Sequence, residues 1–203
     1  MKRRMIYVVA IAGVLLLGLL AVTMVSRGAY ESAEYDLLEV DGNIEIREYP
    51  ELMLVTTGSD ADMQGRDGSF MRLFQYISGE NETEQKISMT TPVFMENDPG
   101  GVNLSMGFVL PKDVAKNGAP PPSGAGVVVR KRDAGRFAVV RFAGKLDSAV
   151  AEKEEARLRE WIEARGLDGE PTAEVAGYDP PFTPGFLRRN EVLIRLRETM
   201  ATE

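Results

Sequence analysis

Residues 70–81 read Phe70-Met71-Arg72-Leu73-Phe74-Gln75-Tyr76-Ile77-Ser78-Gly79-Glu80-Asn81. Phe70, Leu73, Phe74 and Ile77 stand at i, i+3, i+4 and i+7, the spacing of one helical face, and Met63 extends the stripe towards the N-terminus. Adding 88 to Met63, Phe70, Leu73, Phe74 and Ile77 gives Ala151, Leu158, Trp161, Ile162 and Arg165, the stripe of a second helix predicted over residues 148–165. The same offset takes Pro92 to Pro180 and Phe94 to Phe182, and it takes the alternating Leu104, Met106, Phe108 to Val192, Ile194, Leu196. Such alternation marks a half-buried strand. Ahead of the helices the offset shortens to 86, pairing Gly58 with Gly144 at the ends of strand-like runs 52–57 and 138–143.

Each half therefore reads strand, strand, helix, strand, strand. Asp41-Gly42 adds a tight-hairpin signal between Leu38 to Val40 and Ile44 to Arg47. Residues 111–126, which include Pro120-Pro121-Pro122-Ser123-Gly124, read as a loop too short to separate domains. One helix and a few strands cannot bury a core, so the halves must pack as one body. The expectation is an α+β fold of two duplicated units, forming a curved antiparallel sheet or distorted barrel with two helices, preceded by an N-terminal transmembrane helix. Residues 1–27 form the anchor or signal segment and residues 28–203 the domain.

The 203 residues contain neither cysteine nor histidine. That removes disulfides, thiolate sites, Ser-His-Asp triads and His-ligated metals together. The net charge is -7 and no basic run extends beyond Arg130 to Arg132, so a nucleic-acid footprint is absent.

Lys2, Arg3 and Arg4 precede the uncharged stretch Met5 to Val25. A helix of that length reaches roughly 30 Å, the thickness of the hydrocarbon core. The basic residues ahead of it favour a cytoplasmic N-terminus and an external domain. The expected location is the cytoplasmic membrane, single-pass, with the domain outside; the alternative is export after signal cleavage near Ala29. From Gly28 onward 20 basic residues face 31 acidic ones, a balance of -11 that does not suit anionic lipid.

The segment 70–81, followed by Lys86-Ile87-Ser88-Met89-Thr90-Thr91-Pro92-Val93, resembles the signature of the SOUL haem-binding family. So does Gly177-Tyr178-Asp179-Pro180-Pro181-Phe182-Thr183-Pro184 leading into Arg188-Arg189-Asn190-Glu191-Val192. The resemblance covers nearly everything after the anchor. It implies a duplicated α+β fold and, in some members, binding of haem or other tetrapyrroles along the first helix. By motif, the apolar positions there are Phe70, Leu73 and Phe74. The basic positions expected beside Tyr76 and before Phe70 are here Gln75 and Asp67, leaving Arg66, Arg72 and Lys86 as substitutes towards propionates. Without histidine, an iron ligand must be Met, Tyr or Lys, with Met63, Met71 and Tyr76 the local candidates.

Each residue also has a plainer reading. Phe70, Leu73, Phe74 and Ile77 have the spacing of a helix face packed on a sheet. Arg188, Arg189 and Asn190 suit hydrogen bonds within the loop that they end, and residues 152–160 suit a solvated helix face with pairs such as Glu155 with Arg159. Binding of haem or a related flat ligand without histidine ligation leads. A cofactor-independent hydrolase has little to rest on: Glu45, Glu48 or Glu191 could act as bases, but nothing brings two together. The third reading is a partner-binding domain without a ligand.

Overall fold

The computed structural model describes residues 7, 13, 30–59, 67–97, 104–180 and 183–197, and one compact unit runs over Ser32–Glu203. The strands of its large sheet are β1 (Asp36–Asp41), β2 (Ile44–Tyr49), β3 (Leu52–Ser59), β4 (Val93–Asn97), β5 (Leu104–Val109), β6 (Val127–Arg132), β7 (Gly135–Ala143), β8 (Gly169–Gly177) and β9 (Arg189–Leu196). The helices are α1 (Ser69–Ile77), α2 (Lys112–Asn117) and α3 (Ser148–Ala164). An antiparallel sheet runs in the order β1-β2-β7-β9-β8-β4-β5-β3-β6. Local chemistry explains the element ends. Gly42, at φ 62°, allows the β1–β2 hairpin that Asp41-Gly42 announces. Asp67 Oδ1 accepts from the Ser69 backbone N–H at 3.0 Å at the start of α1, and Asp147 Oδ1 accepts from the Val150 N–H at 3.1 Å at the start of α3.

Apart from β1 at one edge, the strand order is symmetric about the β4–β8 pair. Reading outward, β4-β5-β3-β6 matches β8-β9-β7-β2, so each half consists of strand, strand, helix, strand, strand. The first strand of each half has crossed to the other: β2 pairs with β7, and β6 with β3. Only Pro50 and Glu51 join β2 to β3, and only Asp133 and Ala134 join β6 to β7. In a flat sheet those strands would lie six spacings apart, about 29 Å, whereas such a connection spans at most ~11 Å. The sheet must curl until its ends meet, and its hydrogen-bond ladder stays open rather than closing into a barrel.

The register corrects the sequence offset. Ile44 faces Val140 as Val129 faces Val55, and Leu54 faces Val109 as Val139 faces Leu193. The counterparts Ile44 and Val129, and Val55 and Val140, are 85 residues apart, as are the buried helix residues Leu73 and Leu158, or Ile77 and Ile162. Val109 and Leu193 are 84 apart. The expected match of Phe74 to Ile162 fails, since Phe74 is exposed and Ile162 buried. An error of three in a helix, or of four in a strand, preserves an apolar pattern almost intact, so the pattern could not exclude the 88-residue match. Residues 111–126 also hold a helix, α2, where a loop was expected. Met5 to Val25 lies outside the described residues apart from Tyr7 and Gly13, and among the described residues no helix is long and apolar enough to cross a membrane.

Three cores result. α1 and α2 cover the outer face of one half, where Val55, Leu73, Tyr76, Ile77, Met106, Phe108 and Val114 pack together. α3 covers the other half through Leu158 and Ile162 against Ile44, Ile46, Val140 and Ile194. The inner face of the curl holds Tyr49, Leu54, Phe94, Phe137, Val139 and Leu193, and two arginines, Arg47 and Arg132, only 1% and 3% exposed. Arg132 donates to Glu174 from Nε (2.9 Å) and Nη2 (2.7 Å), and its guanidinium lies 4.1 Å from the Phe137 ring centre, 4.9 Å from Phe94 and 5.0 Å from Tyr49. Arg47 donates to both Glu191 oxygens at 2.9 and 2.8 Å, to Glu45 at 2.7 Å and to the Tyr49 hydroxyl at 2.9 Å, with its guanidinium 4.1 Å from the Tyr35 ring centre.

Burial opposes the charge on Arg47, yet the hydrogen bonds and charge of Glu191 outweigh it and raise its pKa. Removing Arg47 leaves two buried carboxylates, Glu45 and Glu191, without their shared cation. Arg47→Met is therefore expected to lose about 3 to 5 kcal/mol in denaturant unfolding, and the triple variant Arg47→Met/Glu45→Gln/Glu191→Leu to recover most of it. A loss below about 1 kcal/mol in the single variant would show that the pair does not hold the curl.

Tyrosine ionisation gives a second test. Burial, assisted by the Glu191 charge, raises the pKa of Tyr178, whose hydroxyl donates to Glu191 at 2.8 Å, and burial pushes Tyr49 up to about 12. In the unfolded chain both ionise near 10, so their contribution is complete below pH ~10 and falls as pH rises through the folded values. Unfolding titrations should show stability declining above pH ~10 by about 1.4 kcal/mol per pH unit for each tyrosine that stays protonated, and Tyr178→Phe should flatten that slope. An unchanged slope in Tyr178→Phe would refute the assignment.

Candidate functional site

α1 presents two faces of different character. Leu73, Tyr76 and Ile77 enter the core, while Phe74 is 45% and Met71 54% exposed on the opposite side. Phe70 bridges the two: its ring meets Phe108 edge-on at 5.1 Å and stacks at 12° on Phe74, centroids 6.3 Å apart. The outer face of α1 is thus a strip of two near-parallel rings with an exposed thioether beside them.

Next to this strip, a groove of about 290 Å³ runs between the second half of α1 and residues 122–127, lined by Arg72, Gln75, Tyr76, Glu80, Ser123 and Val127 among others. Its far wall is pinned from α1. The Tyr76 hydroxyl donates to the Pro120 carbonyl at 2.7 Å, the Ser123 hydroxyl to Glu80 at 2.9 Å, and the Glu82 N–H to Pro121 at 3.0 Å. Asn81 Nδ2 ties the end of the helix to the following loop through the Tyr76 and Gln85 carbonyls, at 3.0 and 2.8 Å. Burial raises the pKa of Tyr76.

The expected site residues separate accordingly. Phe70, Met71 and Phe74 come together on the outer strip. Leu73 is 0% exposed and belongs to the core, because its place on the helix points at the sheet. Arg72 lines the groove but is engaged, donating from Nε to Thr57 Oγ1 at 3.1 Å and from Nη2 to the Gly58 carbonyl at 2.7 Å. Arg66 and Met63 lie outside the described residues. Of the local candidates for an iron ligand, Tyr76 has its hydroxyl committed to Pro120, and Met71 has its side chain outside. The groove wall at residues 122–127 was not expected as part of a site, since its approach to α1 depends on contacts more than 40 residues apart.

The second motif serves structure. Asp179 holds Arg189 through Nε at 3.0 Å, Arg188 donates to the Thr183 carbonyl at 2.8 Å, and Asn190 Nδ2 donates to the Gly144 carbonyl at 2.9 Å. These bonds close the loop ahead of β9, as the sequence suggested, and Glu155 meets Arg159 at 2.7 Å. Glu45 and Glu191, candidate bases in the hydrolase reading, do come together, but around the guanidinium of Arg47, and Glu48 stays exposed.

The two sides of α1 differ in a measurable way. Leu73→Ala should cost about 2 to 5 kcal/mol as a core truncation, whereas Phe74→Asp should stay within about 1 kcal/mol because it opens no cavity. Equal losses in thermal or denaturant unfolding would place Phe74 in the core after all.

Comparison with known proteins identifies the family and the fold. Heme-binding protein 1 of Xenopus laevis is 28% identical over 177 residues, covering 81% of this chain and 92% of its own. Heme-binding protein 2 of Mus musculus is 28% identical over 169 residues, covering 79% and 81%. Among solved structures, the chain is similar to EcmrR in a DNA complex, at TM-score 0.60 and 13% identity over 77% of this chain and 57% of that one. It is similar also to a hydrolase of Listeria innocua, at TM-score 0.54 and 12% identity over 76% and 92%. At such identities these structures share the fold alone. The SOUL heme-binding protein domain matches residues 30–195, so the chain belongs to the SOUL family.

Proposed function

We propose that this protein binds haem or a related flat tetrapyrrole on the outer face of α1, in a domain held outside the cytoplasmic membrane by residues 5–25. The observation that carries the reading is the pair Phe74 and Met71, large apolar side chains left in solvent beside the partly buried Phe70 on a helix whose other face is packed. Flat aromatic ligands bury their faces on such surfaces. The donor chemistry is compatible with the ligand, since the strip offers apolar contact and a thioether, and Arg72 places a cation on the adjoining groove wall. Family membership supports the same reading, because curated relatives carry the name heme-binding protein. The iron would supply a coordination site, while the affinity comes from burial of the macrocycle.

The test is a titration of the full chain in detergent micelles, with a micelle-only blank, using haem and iron-free porphyrin. Both should bind, within about tenfold of each other, a difference of ~1.4 kcal/mol, and Phe74→Asp should abolish both without unfolding the domain. No binding by the unmodified chain at high micromolar porphyrin would end the proposal. The location rests on Lys2, Arg3 and Arg4 ahead of Met5 to Val25. Fractionation should place the intact chain in membranes, with external protease reaching the domain. A soluble chain beginning near Ala29 would replace the anchor with a cleaved signal.

A further inference from the structure

The sequence leaves few donors for iron, because it contains neither histidine nor cysteine. Among the described residues, Met95 and Met106 are buried, with Met106 Sδ accepting from the Ser69 hydroxyl at 3.6 Å, and Met53 and Met89 pack partly buried against the α1 core. Met71 is the described methionine whose side chain is exposed, and it stands one helical turn before the exposed Phe74. Tyr76 is oriented inward by its bond to Pro120. The competing donor is Lys86, exposed near the end of α1, with its Cγ 3.9 Å from where a Cβ on Gly79 would lie. An amine must lose its proton to coordinate, at a cost that grows as pH falls below ~10. A thioether carries no proton and needs no such step.

We propose that Met71 Sδ would be the protein's ligand to the iron of a bound haem, making this a thioether site in a chain without histidine; the inference rests on the reading of the α1 face as a tetrapyrrole surface. A neutral, soft sulfur donor favours Fe(II) over Fe(III), so coordination by Met71 raises the reduction potential and leaves the ferrous complex the more tightly held. Because the ligand does not titrate, the ferrous spectrum stays constant across neutral pH, where an amine ligand would be progressively lost.

The experiment uses the full chain in micelles with three probes: iron-free porphyrin, ferric haem and ferrous haem. In Met71→Leu, which keeps apolar bulk and removes sulfur, the ratio of ferrous haem affinity to iron-free porphyrin affinity should fall about tenfold, and the midpoint potential should drop with it. The thioether-to-iron charge-transfer band should disappear. Met71→His should restore a strong-field spectrum at a lower potential, which a merely structural role for Met71 would not produce. If Met71→Leu keeps the unmodified spectrum, ratio and potential, the ligand is not Met71, while porphyrin binding leaves the tetrapyrrole surface standing. A ferrous spectrum that changes between pH 6 and 9 would assign the iron to a titrating donor and overturn the proposal. Failure of all three probes to bind removes the surface and the ligand together.

Discussion

Two connections of two residues each constrain the whole architecture. Pro50-Glu51 and Asp133-Ala134 link strands that the ladder places at opposite ends of the sheet. Neither link can stretch across a flat sheet, so the sheet curls and the halves exchange their first strands. The exchange makes the halves interdependent: each contributes a strand to the other's ladder, and neither has a complete sheet by itself. The inner face of the curl then becomes enclosed, and whatever its side chains carry must be satisfied there.

What the inner face carries is charge. Arg47 and Arg132 are related by the 85-residue repeat, and both are buried on that face. Each is neutralised by glutamate, Arg47 by Glu45 and Glu191 and Arg132 by Glu174, and each lies over aromatic rings. Each buried guanidinium is met by a carboxylate from another strand, Arg47 by Glu191 of β9 and Arg132 by Glu174 of β8. The described inner face is lined by these arginines and the aromatic rings packed on them, while α1 carries exposed apolar side chains on the outside.

α1 couples these two levels. Its inner face, through Leu73, Tyr76 and Ile77, fixes the helix on β3 and β5, and its outer face is left with Phe74 and Met71 uncovered. The Tyr76 hydroxyl reaches past the core to hold Pro120, so the residue that anchors the helix also sets the width of the groove beside it. Core packing and site geometry are therefore not separable on this helix, although individual side chains fall clearly on one side or the other.

The sequence by itself determined the elements whose cause is local. The 3.6-residue stripe placed α1 and α3, two-residue alternation placed β5 and β9, and Asp41-Gly42 placed the first hairpin. It also revealed that the chain is duplicated, and the absence of histidine limited the chemistry at any iron. Tertiary structure alone decided the true repeat of 85 residues, because a periodic pattern looks the same after a slip of one period and only strand register distinguishes the two. It decided that β2 pairs with β7, that Leu73 is core while Phe74 is surface, and that Glu45 and Glu191 converge on Arg47. Those facts depend on partners up to 144 residues away, and a spacing rule that spans one turn of helix carries no information about them.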